Sequence, residues 1–230
     1  MCGRYLSLST PEALAEHFSI DEVRTPPLEP RHNVAPTTDV YAVIEDEDRR
    51  LGTLRWGFVP PWAKSLKDGP RPINARLESV ATSKMFAPSF ERRRCLLPAD
   101  GFYEWLDRGE GRRKQPYHLA DPDGAPLAFA GIWSVWRDRS QEDASPLFSA
   151  AIVTTEARGT MSEIHDRMPV ILPSNLWRDW LTAGEDDAPH LLDAVAAMPL
   201  PRLTATPITD RVNSVRNEGS ELLEPGTVAD

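Results

Sequence analysis

The sequence predicts an α+β fold: one domain, mainly antiparallel β-sheets forming a barrel-like core, with short peripheral helices. Three observations carry that expectation. Proline is frequent, 22 in 230 residues, roughly twice the usual share. It punctuates the chain about every ten residues, which excludes long helices and favours short strands joined by fixed loops. Composition is that of a chain with a sizeable core, 40% hydrophobic and 27% charged. Finally, no internal repeat, low-complexity tract or clean linker divides the 230 residues, so they read as a single domain.

Each element has a local reason. Ser9-Thr10-Pro11-Glu12 has the spacing of a helix-start capping box, and Leu14 and Phe18 follow at a helical interval. Apolar runs bounded by turn residues predict strands at 40–44, 51–59, 94–97, 102–106, 117–119, 127–135, 147–154 and 170–172. Later helices are expected at 77–85, 160–164, 176–181 and 190–198. Residues 137–145 read as a polar surface connection. The domain is expected to span 1–217, with 218–230 a frayed C-terminal tail.

Charge and cysteine usage narrow the function classes. No apolar run approaches the ~18 residues of a membrane helix, and the start Met1-Cys2-Gly3-Arg4-Tyr5 lacks a secretory pattern, so a cytoplasmic location is the default. Two cysteines, Cys2 and Cys95, exclude a disulfide framework, and no histidine stands at metal-ligand spacing, so neither metal nor cofactor is expected. His17, His118 and His190 read as ordinary structural histidines, and Cys95 as a buried structural thiol. Net charge is -9, yet residues 49–118 carry 15 Lys+Arg against 7 Asp+Glu, a local +8 inside an acidic chain. That is either a localised footprint for a polyanion or a run of solvated arginines.

Cys2 is the sharpest chemical feature. Initiator methionine is normally removed before a small second residue, which leaves cysteine at the N-terminus. Its α-amine (pKa ~8) and thiol (pKa ~8.5) then lie on adjacent carbons, each partly nucleophilic near neutrality. The amine condenses with an aldehyde to an imine, and the thiol closes a five-membered thiazolidine with the advantage of an intramolecular attack. Read alone, Cys2 could equally be incidental.

Six further blocks change its weight: Arg31-His32-Asn33-Val34-Ala35-Pro36-Thr37-Thr38, Leu54-Arg55-Trp56-Gly57-Phe58-Val59-Pro60, Ile73-Asn74-Ala75-Arg76-Leu77-Glu78, 94–105 from Arg94-Cys95 to Glu104-Trp105, Ile164-His165-Asp166-Arg167-Met168-Pro169, and 211–217. With Met1-Cys2-Gly3-Arg4 this collinear series resembles the SOS response-associated peptidase family, whose members crosslink themselves to abasic sites in single-stranded DNA. The family more often has an aromatic residue where His32 stands and Gln where Thr38 stands.

The resemblance implies an enzyme that senses and processes abasic sites, binds single-stranded DNA, and forms a thiazolidine crosslink through Cys2. Lyase-like imine chemistry and a cysteine-type autopeptidase activity come with it. It assigns catalysis to Cys2, Asn74, Glu104 and His165. His165 suits acid/base opening of the sugar ring, Glu104 proton handling at the imine, and Asn74 orientation of the amine or a sugar hydroxyl. It assigns DNA contacts to Arg4, Pro36, Trp62, Arg76 and Arg167. These are expected to be phosphate contacts plus stacking, because an abasic site has no base to read. Trp56, Trp105 and Trp133 read as core aromatics, and Arg92-Arg93-Arg94 as phosphate-tracking or a solvated helix end. Implied partners are abasic single-stranded DNA and an unidentified component of the replication machinery, with no membrane; a monomer, nucleoid-associated when on DNA, is the default. Two competing readings stand. Glutamine amidotransferase-like amidohydrolases also begin Met-Cys-Gly, but they need an amide-binding loop such as an Asn-Gly pair, which this chain lacks. A non-catalytic single-strand-binding module accounts for the basic segment but not for Cys2, Glu104 and His165 together.

Overall fold

The computed structural model describes residues 2–67, 69–140, 143–184 and 187–229. Among these residues the strands are β1 (Tyr5–Ser7), β2 (Glu22–Val23), β3 (Arg31–Val34), β4 (Asp39–Glu45), β5 (Arg49–Trp56), β6 (Asn74–Arg76) and β7 (Arg94–Ala99). They continue with β8 (Gly101–Leu106), β9 (Gln115–Ala120), β10 (Leu127–Trp136), β11 (Leu147–Glu156), β12 (Arg167–Pro169) and β13 (Thr204–Pro207). The α-helices are short: α1 (Pro11–Phe18), α2 (Leu77–Val80), α3 (Ala87–Arg92), α4 (Trp177–Thr182) and α5 (Ala188–Ala197). The predicted α+β class is the one observed.

Five strands close on themselves in the order β5-β4-β7-β10-β11 and back to β5. An odd ring cannot alternate strand direction all the way round, so one neighbouring pair must be parallel. That pair is β5 and β11, in the register Ser149↔Arg55 and Ala150↔Trp56. β6 then joins the same edge of β11, also parallel, with Ile152 opposite Asn74. The chain from 57 to 73 therefore leaves β11 and returns to it one step further on, and Trp62 stands on this excursion. Gly57, at φ 129°, ends β5 where the sequence reading carried it to 59. A second antiparallel sheet, β13-β9-β8-β1-β3, carries the N-terminus.

Alternation along the ring strands sorts their side chains into two cores. Tyr41, Val43, Leu96, Ala130, Ile132, Ala151 and Val153 pack with Leu14, Phe18, Phe90 and Trp180 of the helices. Val40, Ala42, Cys95, Leu97, Phe129, Ala150 and Ile152 pack with Tyr5, Val34 and Phe102 of the second sheet. Cys2 belongs to this second core.

Several expectations need correction. Thr10, not Ser9, caps α1, its hydroxyl accepting from Ala13 N–H at 3.3 Å; Ser9 turns instead to the Asp100 carboxylate. The helix expected at 77–85 stops at Val80, because Thr82 and Ser83 hydroxyls bond nearby backbone and α3 begins afresh with a proline in its first turn. The strand expected at 170–172 lies earlier, at β12. Residues 218–229 do not fray: Leu222 and Val228 are buried, and Val228 N–H donates to Gln115 Oε1 at 2.8 Å. Within the expected 137–145 connection, 141 and 142 lie outside the described residues, as do Met1 and Asp230. Among the described residues no helix is long and apolar enough to cross a membrane.

Candidate active site

Residue 2 is fixed by the strand that follows it. β1 pairs antiparallel with β8 through Tyr5↔Phe102 and Leu6↔Gly101, and Tyr103 N–H donates to Arg4 O at 3.0 Å. Continuing that register brings residues 2 and 3 alongside Glu104. Cys2 is fully buried, 0% exposed. Burial pushes its thiol well above the ordinary value, and the nearby Glu104 charge pushes it further in the same direction.

Glu104 lies two residues from Phe102 on β8, so both side chains take the face of the second core. The sequence left open whether this carboxylate faces solvent; at 2% exposure it is buried. Asn74 approaches from β6, and its Nδ2 donates to the Cys2 carbonyl at 3.0 Å. Its Oδ1 is buried without a hydrogen-bond partner among the described residues, an acceptor left for another group. Cys2, Asn74 and Glu104 thus come from three segments, 72 and 30 residues apart in sequence, onto one point.

His165 sits between a 3₁₀ turn, Gly159–Glu163, and β12. Its neighbours Met161, Ile164 and Met168 pack in the same core as Cys2. Two groups compete for its Nδ1. Arg167 N–H donates to it at 2.9 Å, and Asp166 Oδ1 lies at 2.7 Å. An accepting Nδ1 carries no proton, whereas a contact with the carboxylate needs one. The Asp166 side chain is 85% exposed and therefore well solvated. The main-chain N–H of Arg167 is a fixed donor that only an unprotonated Nδ1 accepts, and this hydrogen bond places the ring N–H on Nε2.

A profile of the SOS response associated peptidase (SRAP) family matches residues 1–215. The chain belongs to the SRAP family. Among its relatives, Abasic site processing protein YoaM of Bacillus subtilis is 36% identical over 97% of this chain and 98% of its own length. Abasic site processing protein YedK of Escherichia coli is 35% identical, covering 98% and 100%. A solved protein from Bacteroides thetaiotaomicron shares the fold, at a TM-score of 0.81 and 21% identity, with 98% and 100% covered. A solved phage-related protein from Bordetella bronchiseptica superposes at a TM-score of 0.67 with 33% identity, over 90% and 94%.

The basic groups of this SRAP chain are placed unequally. Arg4 spends its guanidinium on Asn33 Oδ1 at 2.8 Å, Val212 O at 2.9 Å and Asn213 O at 3.3 Å. Arg167 forms a two-pronged pair with Glu78, 2.8 Å on each oxygen, and donates to Thr154 O at 2.8 Å. Arg76 is exposed at the end of β6. Trp62 is 57% exposed beside Lys84, Arg93 and Arg139, on a cleft of about 310 Å³. Pro36 stands in the turn between β3 and β4, where Thr37 adopts φ 73°. That conformation is costly for a β-branched residue and is held by Thr37 N–H on Trp56 O at 2.7 Å.

Part of the local +8 is engaged within the protein. Arg49 and Arg50 pair with Glu45 and Asp46, and Arg113 and Lys114 with Asp210 and Asp107. Arg94, expected to track phosphates or end a solvated helix, is buried and donates to the carbonyls of Phe90, Glu91, Trp180 and Ala183. Sequence reasoning missed two residues. Asn33 is buried and ties Arg4 to Ser214 O and Asn217 O at 3.0 Å each, and Glu78 holds Arg167. Both stand inside motifs the sequence displayed, but an amide or carboxylate in a motif does not declare its partner.

Proposed function

We propose that this protein captures abasic sites in single-stranded DNA covalently, through residue 2 after removal of Met1. The observation that carries this is the convergence of Asn74 and Glu104 on a buried Cys2, in a family whose relatives are named abasic site processing proteins. His165 acts first as acid/base to open the sugar hemiacetal to its aldehyde. The Cys2 α-amine adds to the aldehyde carbon, and loss of water gives the imine. The thiol sulfur then adds to the imine carbon while its proton passes to the nitrogen, closing the thiazolidine.

Order follows from electrostatics. Beside Glu104 and out of water, the thiol holds its proton, so the amine reacts first. Protonation of the imine puts a positive charge where Glu104 stabilises it, and that charge lowers the cost of forming the thiolate. Removal of Met1, and hydrolysis of a degraded crosslink remnant, use the same groups. Arg4, Arg76 and Arg167 contribute phosphate contacts, with Trp62 a stacking surface and Pro36 a wall of the pocket.

The test is the intact mass of the conjugate formed with a single-stranded oligonucleotide bearing one abasic site. A heat-stable adduct at the summed mass less one water is expected. Its absence, together with glutaminase activity, would favour the amidohydrolase. Salt-sensitive binding with no adduct under borohydride would favour a binding module.

A further inference from the structure

The Glu78–Arg167 pair is better built than a surface ion pair needs to be. Glu78 leads from α2, four residues after Asn74, and its carboxylate crosses the end of β11 to reach β12. It accepts both Arg167 prongs, Glu156 N–H at 3.2 Å and Thr155 Oγ1 at 3.3 Å. The Arg167 end is 16% exposed and also anchored on Thr154 O. The guanidinium beside it lowers the Glu78 carboxyl to about 2. A two-pronged Arg–carboxylate pair fixes orientation as well as charge. It reinforces the β11–β12 pairing, Glu156 opposite Arg167, that holds the main chain of Arg167, whose N–H donates to His165 Nδ1 at 2.9 Å.

We propose that Glu78 is a positioning residue that sets which nitrogen of His165 carries the proton. This inference rests on the reading of His165 as the ring-opening acid/base. With Arg167 N–H held in place, Nδ1 accepts and the proton sits on Nε2. With Arg167 released, Nδ1 is free to take the proton and donate to Asp166 Oδ1, and Nε2 becomes the bare nitrogen. The two arrangements contain the same atoms but exchange acid for base at Nε2. The clamp thereby links the segment carrying Asn74 to the turn carrying His165, across β11.

The experiment reads the ring directly. ¹⁵N spectra of the His165 imidazole are recorded for wild type, Glu78→Gln and Arg167→Lys near neutral pH, without DNA. Wild type is expected as the Nε2–H tautomer, with both variants shifted toward Nδ1–H. Crosslinking at saturating abasic single-stranded DNA is expected to slow about 10- to 100-fold in Glu78→Gln, the cost of a misplaced group, with Kd for DNA unchanged or tighter. Arg167→Lys keeps the charge but loses the fork, so it should reproduce the tautomer shift.

An unchanged tautomer in both variants overturns the proposal. So does tighter DNA binding with an unchanged rate at saturation, which would make Glu78 a mask over a phosphate site. Rate loss with a wild-type tautomer and a lowered melting temperature also overturns it, leaving Glu78 a fold contact. If wild type forms no adduct, covalent capture fails, while the DNA-free spectra still decide the role of Glu78.

Discussion

Cys2 and Cys95 are both fully buried, both lie in the same core, and burial raises the pKa of each thiol. By accessibility or packing they are indistinguishable. They differ in what else is near. Cys95 is the second residue of β7, opposite Gly131, whose missing side chain leaves room for the sulfur: a Cβ there would come within 2.7 Å of Sγ. Cys2 has the Asn74 amide on its carbonyl and the Glu104 charge beside its thiol. Burial alone makes a thiol inert. A reactive buried thiol needs groups that move its proton: Glu104 stands beside Cys2, whereas the Cys95 thiol is raised by burial alone.

The largest expected effect breaks the comparison at its centre. Cys2→Ala should abolish the heat-stable adduct, leaving at most an imine that borohydride traps, because the amine survives and the ring-closing sulfur does not. Cys95→Ala should form the adduct at the wild-type rate. A stable conjugate in Cys2→Ala, or its loss in Cys95→Ala at temperatures where the variant is folded, would reverse the roles assigned to the two cysteines. Retaining Met1, or adding an N-terminal tag, separates amine from thiol and should act like Cys2→Ala.

Next in size are the proton-moving groups. Glu104→Gln and His165→Ala should each slow adduct formation on the order of 100- to 10,000-fold, the usual range for a general acid–base group. DNA affinity should be little changed. Single-turnover mass spectrometry measures both quantities, and wild-type rates would reduce Glu104 to a buried acid like any other.

The strands of the ring were legible in the sequence because short continuous apolar runs bounded by turn residues mark strands with two buried faces: all seven runs from 40–44 to 147–154 correspond to ring or second-sheet strands. β1, β2, β3, β6 and β13 were not legible. Each has two to four residues, too few for a period, and owes its conformation to a partner strand far along the chain. Cys2, Asn74, Glu104 and His165 were singled out by motif and chemistry together. Whether Glu104 faced water could not be read from Phe102-Tyr103-Glu104-Trp105, because both faces of β8 are covered and alternation then carries no sign. Glu78 escaped notice for a related reason: its partner, Arg167, is 89 residues away, and only the fold brings them together.

A smaller effect sharpens the contrast from the Cys95 side. If Cys95 acts only by volume, Gly131→Ala should cost about 1–3 kcal/mol through overpacking, since the new methyl meets Cys95 Sγ and, at 3.2 Å, Leu97 Cδ1. The same change in a Cys95→Ala background should cost clearly less, because the obstructing sulfur is gone. Additive costs in chemical denaturation would mean that the strain lies with Leu97 or the backbone instead. Neither variant should alter crosslinking by the folded protein.

The smallest expected effect is the pH dependence that Glu78 gives the edge where β11 meets β12. Its folded pKa is about 2, against an ordinary 4.5, with the Arg167 hydrogen bonds the first cause. A depressed acid stabilises the fold fully above its unfolded value, and that stabilisation is lost as pH falls from about 4.5 through 2. The Glu78 side chain is 48% exposed, so solvent screening keeps the contribution under about 1 kcal/mol. His118 adds a separate loss at higher pH. Burial lowers its pKa to about 4 from 6.5, so its share disappears as pH falls from about 6.5 through 4. Thermal melts of wild type and Glu78→Gln across both ranges separate the two, since His118 is common to both proteins. The gap between the two melting curves should hold constant from neutrality to about pH 5 and close below it. A gap that persists to pH 2 would mean that the carboxylate's shape, not its charge, holds Arg167, and the clamp beside His165 would then be as insensitive to acid as the packing around Cys95.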